Sequence, residues 1–143
     1  MFEPINRKAA EDRRSVPTDP ASPPTVLQGQ IVEVDAADGF AKLADGAAVV
    51  AAPLWVFTKS ARLDSQIADS LTVLEAPFSA RVDADGYVGT PTAKQALKIG
   101  TGGNVGKLEV EATVDSVAKL QGVVAYCVKA PDSDGVMEIK VIR

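Results

Sequence analysis

Residues 122–143 read GVVAYCVKAPDSDGVMEIKVIR, and this stretch decides the fold class. Both of its ends are rich in β-branched residues, a composition that favours strands. In the second run Ile139 and Val141 alternate with polar residues, which is the two-residue period of a strand with one buried face. Between the runs, Asp132 to Gly135 form a DSDG segment whose aspartate and glycine residues favour a tight turn. The stretch therefore predicts two short strands joined by a turn.

The same pattern recurs through the chain from residue 28 onward. The other candidate strands are GQIVEV (29–34), FAKLADG (40–46), PLWVFTK (53–59), LTVLEA (71–76), PFSARV (77–82) and KLEVEATV (107–114), with turns at DAADGF (35–40) and DADG (83–86). SARLDSQIADS (60–70) has apolar residues at helical spacing, but its serine and aspartate content favours a loop. Seven or eight short strands without long helices predict an all-β domain over residues 28–143, a small antiparallel β-barrel or sandwich. Its core is expected around Trp55, Phe57, Phe78 and Tyr126.

Residues 1–27 differ in composition and predict an extended, proline-rich N-terminal arm. Asn6 can cap a helix of about two turns over RKAAEDRR (7–14), and the prolines that follow favour extended polyproline conformation. Ordering 27 residues costs on the order of tens of kcal/mol, which the few apolar side chains of the arm cannot offset. We therefore expect a partner surface to hold the arm. The predicted contact residues are Phe2, Ile5, Arg7, Arg13, Arg14, Val16 and Leu27.

Composition limits the classes of function. The chain has 143 residues, no histidine and one cysteine, so Ser-His-Asp and Cys-His catalytic systems and histidine metal sites cannot be built. Residues 1–27 carry equal numbers of acidic and basic residues, so the net charge of −4 lies in residues 28–143, and an acidic body argues against nucleic-acid binding. The sequence predicts neither a membrane span nor a secretory signal.

The motifs that resemble catalytic or ligand sites fail on spacing. GTGGNVGKL (100–108) lacks the first glycine and the final serine or threonine of a phosphate-binding loop. A calcium loop that begins at Asp83 would place Lys94 at its acidic twelfth position. Glu109 and Glu111 are typical of a solvated strand face, and Cys127 lies in an apolar run typical of a buried thiol. We therefore predict a non-enzymatic protein without cofactor or metal.

Residues 52–143 resemble the small capsid decoration, or cement, proteins and related virion structural proteins of tailed bacteriophages. The resemblance rests on PLWVF, on LTVLEAPFSARVDADGYVG as paired strands around an acidic turn, on the glycine-rich approach to VGKLEVEA, and on GVVAYCVKAPDSDGVMEIKVIR. It implies a protein made in the host cytoplasm that binds the outside of a capsid, with the major capsid protein as partner. It also implies a dimer or trimer that stabilises the shell by binding its assembled form alone.

Two other functions remain open from the sequence. A small soluble β-barrel module for carbohydrate or another small ligand would have a concave pocket lined by Trp55 or Tyr87. A tail or baseplate component of the same virus would share every feature described so far. If the capsid role is right, deletion of residues 2–27 is expected to leave the β body folded and to abolish attachment to capsids.

Overall fold

The computed structural model describes residues 1–5, 13–59 and 70–143, and they form two antiparallel sheets with one short α-helix. The strands are β1 (Phe2–Pro4), β2 (Arg13–Pro17), β3 (Ile31–Val34), β4 (Ala41–Leu43), β5 (Leu54–Lys59), β6 (Ser70–Leu74), β7 (Phe78–Val82), β8 (Ala96–Ile99), β9 (Leu108–Glu111), β10 (Val123–Lys129) and β11 (Met137–Val141). A 3-10 helix covers Gly102–Asn104, and helix α1 covers Val117–Gly122. The prediction of an all-β chain is confirmed.

The first sheet has six strands in the order β1-β7-β11-β10-β8-β9. The stretch quoted at the outset forms the hairpin β10–β11, in which Ala125 lies opposite Val141 and Cys127 opposite Ile139. The predicted turn closes it, because the Gly135 N–H donates to the carbonyl oxygen of Asp132 at 3.0 Å. The second sheet has five strands in the order β2-β6-β5-β3-β4. Across the described residues neither sheet closes on itself, so the arrangement is sandwich-like and not a barrel.

The five-stranded sheet buries both of its faces. Ile31 and Trp55 are paired and belong to the large core that the six-stranded sheet shares, whereas their neighbours Val32 and Leu54 belong to a second cluster. Adjacent residues of a strand point to opposite faces. The second cluster comprises Val16, Val26, Val32, Ala41, Leu54, Val56, Leu71 and Val73. This double burial explains the continuous apolar run in β5.

The structure differs from the sequence-based prediction within the β body. It has eleven strands in the described part of the chain, because β8 and the two N-terminal strands were not predicted. Helix α1 covers Val117–Gly122, where the sequence predicted no helix. Trp55 and Phe78 are buried as expected, whereas Phe57 and Tyr126 are half-buried.

The N-terminal strands correct the prediction of an arm that packs only on a partner. Strand β1 is one edge of the six-stranded sheet through pairing with β7, and β2 is one edge of the five-stranded sheet through pairing with β6. Arg13 and Arg14 lie in β2 and not in a helix. Because these strands add to existing sheets, their backbone groups find partners in the same chain.

Some predictions lie outside the described residues. They are the helix cap at Asn6, most of the helix predicted over residues 7–14, the contact residue Arg7, and all but the last residue of the loop predicted over 60–70.

Candidate interaction surfaces

Two of the predicted contact residues are buried anchors of the N-terminal strands. Phe2 is 4% exposed, stacks on Trp55 with ring centroids 6.3 Å apart, and meets Phe78 edge-on at 5.9 Å. Val16 is buried in the second cluster, opposite Leu71 of strand β6. Neither side chain is available to a partner, which differs from the sequence-based prediction. Both hold the N-terminal segment to its own chain.

The remaining described contact residues are exposed. Ile5 follows β1, and its N–H donates to the carbonyl oxygen of Ser79 at 2.7 Å. Half of the Ile5 surface is exposed to solvent. Leu27 is exposed to a similar extent. The structure therefore divides the predicted set into side chains that anchor the segment and side chains that are open to solvent.

Two cations of strand β2 each have a partner in the same chain. The Arg13 guanidinium lies 4.1 Å from the ring centroid of Phe57. The Arg14 Nη1 donates to Glu75 Oε1 at 2.6 Å, and both side chains of this pair are more than half exposed. Exposed pairs of this kind contribute little stability, so both guanidinium groups can be shared with an incoming carboxylate.

A groove lies between the loop at Gly46–Val50 and helix α1. It has a volume of about 260 Å³, and Lys98 and Glu111 form part of its wall. The Lys98 Nζ and Glu111 Oε2 atoms are 3.2 Å apart. Sequence patterns did not indicate this groove, because they predicted no strand around Lys98 and no helix in the facing wall.

Helix α1 exposes apolar side chains and buries none of its own. Val117 and Leu120 lie about one turn apart on the helix and are 71% and 55% exposed, and Val114, which is also exposed, precedes the helix. These three residues are called the helix stripe below. Val49, on the facing wall of the groove, is also exposed. Sequence reasoning missed the helix, although Ser116 before VAKLQ is a capping signal for it.

The residues considered for catalysis have structural partners. Glu109 Oε1 accepts a hydrogen bond from Asn104 Nδ2 at 2.7 Å, and Glu111 pairs with Lys98. The Cys127 thiol is buried, as predicted, and burial raises its pKa. A raised pKa disfavours the thiolate, which is the reactive form.

The aromatic residues considered for ligand binding lie in the core. Trp55 is fully buried, and its Nε1 has no hydrogen-bond partner in the described structure. Tyr87 is buried, and its hydroxyl donates to the carbonyl oxygen of Gly135 at 2.8 Å. Both side chains are buried, so this geometry gives the small-ligand alternative no support.

Comparison with known proteins finds no matching family model, no matching curated protein and no matching solved structure. In residues 1–5, 13–59 and 70–143, no three histidine, cysteine or acidic side chains are grouped so that they could hold a metal ion. Within those same ranges there is no helix of the length and hydropathy needed to cross a membrane.

The aspartate turns give the stability a defined dependence on pH. The pKa of Asp132 is lowered, mainly because its carboxylate accepts the Val136 N–H, and the pKa of Asp35 is lowered by the Ala37 N–H and by Lys42. A carboxyl group whose pKa is lower in the folded state stabilises the fold above its unfolded pKa, and this contribution is lost as the pH falls through the folded pKa.

We expect Asp132→Asn to lower the free energy of unfolding at neutral pH, with the difference from the unchanged protein shrinking below about pH 4. Urea unfolding at a series of pH values measures the difference in free energy of unfolding between the variant and the unchanged protein. Asp134→Asn is the matched control, because it removes the same charge from the same exposed turn. Parallel pH profiles for the Asp132 variant and the unchanged protein would contradict the expectation.

Proposed function

We propose that this chain is a non-enzymatic structural protein of a tailed bacteriophage that binds the outer surface of the capsid and stabilises it. One observation carries the proposal: the N-terminal segment is built into the edges of both sheets by Phe2 and Val16, yet keeps Ile5, Arg13 and Arg14 exposed. Edge strands are where another chain can add to a sheet. The resemblance of residues 52–143 to decoration proteins supplies the class of partner.

The mode of attachment follows from the chemistry of the segment. Arg13 and Arg14 lie on β2, an edge strand of the five-stranded sheet, in a chain with a net charge of −4. Their guanidinium donors favour bidentate contact with carboxylates. Ile5 and Leu27 add exposed apolar surface. The partner surface is therefore expected to combine carboxylates with shallow apolar contacts on the major capsid protein. Binding restricted to the assembled shell would stabilise that shell by mass action.

The structure changes the experiment that tests this function. Deletion of residues 2–27 removes the buried Phe2 and Val16, so loss of attachment by the truncated chain would not separate binding from folding. Substitutions of exposed residues leave the buried anchors Phe2 and Val16 in place. The test therefore compares charge-removing pairs on the two different sheets.

Arg13→Gln combined with Arg14→Gln is expected to weaken binding to capsid shells at least about tenfold, because charge-assisted hydrogen bonds to the shell are lost. The measurement is co-sedimentation with shells of the encoding phage from which the outer proteins have been removed. Lys129→Gln combined with Lys140→Gln removes the same charge from exposed positions of the other sheet and is expected to bind normally. Equal binding by both double variants, or no saturable binding by the unchanged chain, would overturn the proposal.

A further inference from the structure

Helix α1 lacks the packing that normally stabilises so short a helix. It has six residues and no buried side chain, and isolated helices shorter than about 12 residues are marginal in water. Within the chain it has local support: Ser116 Oγ accepts the Lys119 N–H at 3.3 Å, and Asp115 Oδ1 lies 2.8 Å from Lys119 Nζ. Such an exposed pair contributes little stability. The helix stripe is the face through which packing could be added.

The charges that flank the helix stripe are self-complementary. Asp115 lies before the helix and Lys119 lies in its last turn, with Val117 of the helix stripe between them. Two copies of this segment laid side by side in opposite directions would bring Asp115 of each copy to Lys119 of the other. Laid in the same direction they would oppose like charges. The pattern therefore selects an antiparallel pair, which is the arrangement produced by a twofold axis across the helix.

We propose that the helix stripe is a twofold interface between two copies of this chain. Val117 of one copy packs on Val117 of the other, and Leu120 of each copy packs on Val114 of the other, which is the register that brings Asp115 to Lys119. Asp115 and Lys119 flank this contact on both sides and fix its direction. The proposal does not rest on the capsid function, because it concerns the protein in free solution.

The apolar contact is tested by sedimentation of the purified chain up to millimolar concentration. The unchanged chain is expected to dimerise, and Leu120→Asp is expected to raise the dimer dissociation constant at least about 30-fold, as for a central interface residue. Val128→Asp is the matched control, because Val128 and Leu120 are both 55% exposed and Val128 lies on strand β10 outside the helix stripe. The control is expected to dimerise within about twofold of the unchanged chain.

The charge pattern gives a test that effects within one chain cannot imitate. Asp115→Lys places two cations beside the stripe, and Lys119→Asp places two anions there, so each variant alone is expected to dimerise about tenfold more weakly. An equimolar mixture of the two variants opposes cations to anions at both contacts and is expected to recover dimers. Both chains of that mixture still lack the internal ion pair, so any recovery must arise between chains.

Three results would overturn the proposal. They are a monomeric unchanged chain at millimolar concentration, equal effects of Leu120→Asp and Val128→Asp, and a mixture of charge variants that pairs no better than its components. If the unchanged chain were monomeric while Leu120→Asp lost binding to capsid shells, the helix stripe would instead contact the capsid protein. Failure of the arginine pair to affect shell binding would leave the twofold interface standing.

Discussion

Phe2→Ala should lower the free energy of unfolding by about 3 kcal/mol, the lower end of the range for truncation of a buried phenylalanine. The side chain is 4% exposed and touches both Trp55 and Phe78. Its removal opens a cavity where the two sheets meet and weakens the hold of strand β1 on β7. A domain of this size has a total stability of about 5–15 kcal/mol, so this one contact is a large part of it.

Urea unfolding of the Phe2 variants measures the effect, with capsid-shell binding as a second readout at urea concentrations where both proteins remain folded. Phe2→Leu is the control, because it keeps an apolar side chain at the same position and is expected to recover most of the lost stability. An unchanged free energy of unfolding together with lost shell binding would reverse the assignment. Phe2 would then be a partner contact, as the sequence alone indicated.

The parts of the fold that the sequence predicted are those with a strict alternation or an aspartate-glycine turn. Strand β11 and the Asp132 turn have both signals, and the Gly135 hydrogen bond closes the hairpin as expected. Strand β8 has neither. It has four residues, three of them buried, and Lys98 is its one polar side chain, so no two-residue period is visible. The sequence of β8 is therefore too short for a pattern to distinguish the strand from the loops on either side of it.

The N-terminal strands were missed for a different physical reason. Strand β1 is three residues long and ends in Pro4, and β2 ends in Pro17. Proline is tolerated in a strand at an edge, where its missing N–H leaves no ladder hydrogen bond unmade. Both strands are edges, so the prolines that indicated an unpaired arm are compatible with pairing on one side. Phe2 and Val16 have long-range partners that no local pattern encodes.

Gly46 forms a contact of the same non-local kind, beneath the groove that helix α1 borders. A Cβ atom added to Gly46 would clash with the carbonyl oxygen of Ile99 and lie 2.7 Å from its carbonyl carbon. The Gly46 N–H donates to the carbonyl oxygen of Gly100 at 3.0 Å. The neighbouring strand cannot move away freely, because the Gly100 N–H is bonded to Lys107 and Ile99 pairs with Leu108.

Gly46→Ala is therefore expected to cost about 3 kcal/mol or more, since the clash is with backbone and not with the end of a flexible side chain. Thermal and urea unfolding measure the loss. Gly103→Ala is the matched control: its added Cβ meets nothing within 4 Å, so its stability should stay within about 0.5 kcal/mol of the unchanged chain.

The Gly46 variant also separates the groove from the helix stripe. Gly46 supports the wall that carries Val49, and the residues of helix α1 that line the groove are Ala118, Lys119, Gln121 and Gly122, so the lining does not include Val117 or Leu120. If the two copies meet chiefly through the helix stripe, a Gly46→Ala chain that remains folded in the cold should still dimerise, with a dissociation constant raised less than that of Leu120→Asp. A larger loss of dimer in the Gly46 variant would indicate that the main contact between the two copies is the loop at Gly46–Val50. Equal stability of Gly46→Ala and Gly103→Ala would instead show that the close approach to Ile99 does not constrain this loop.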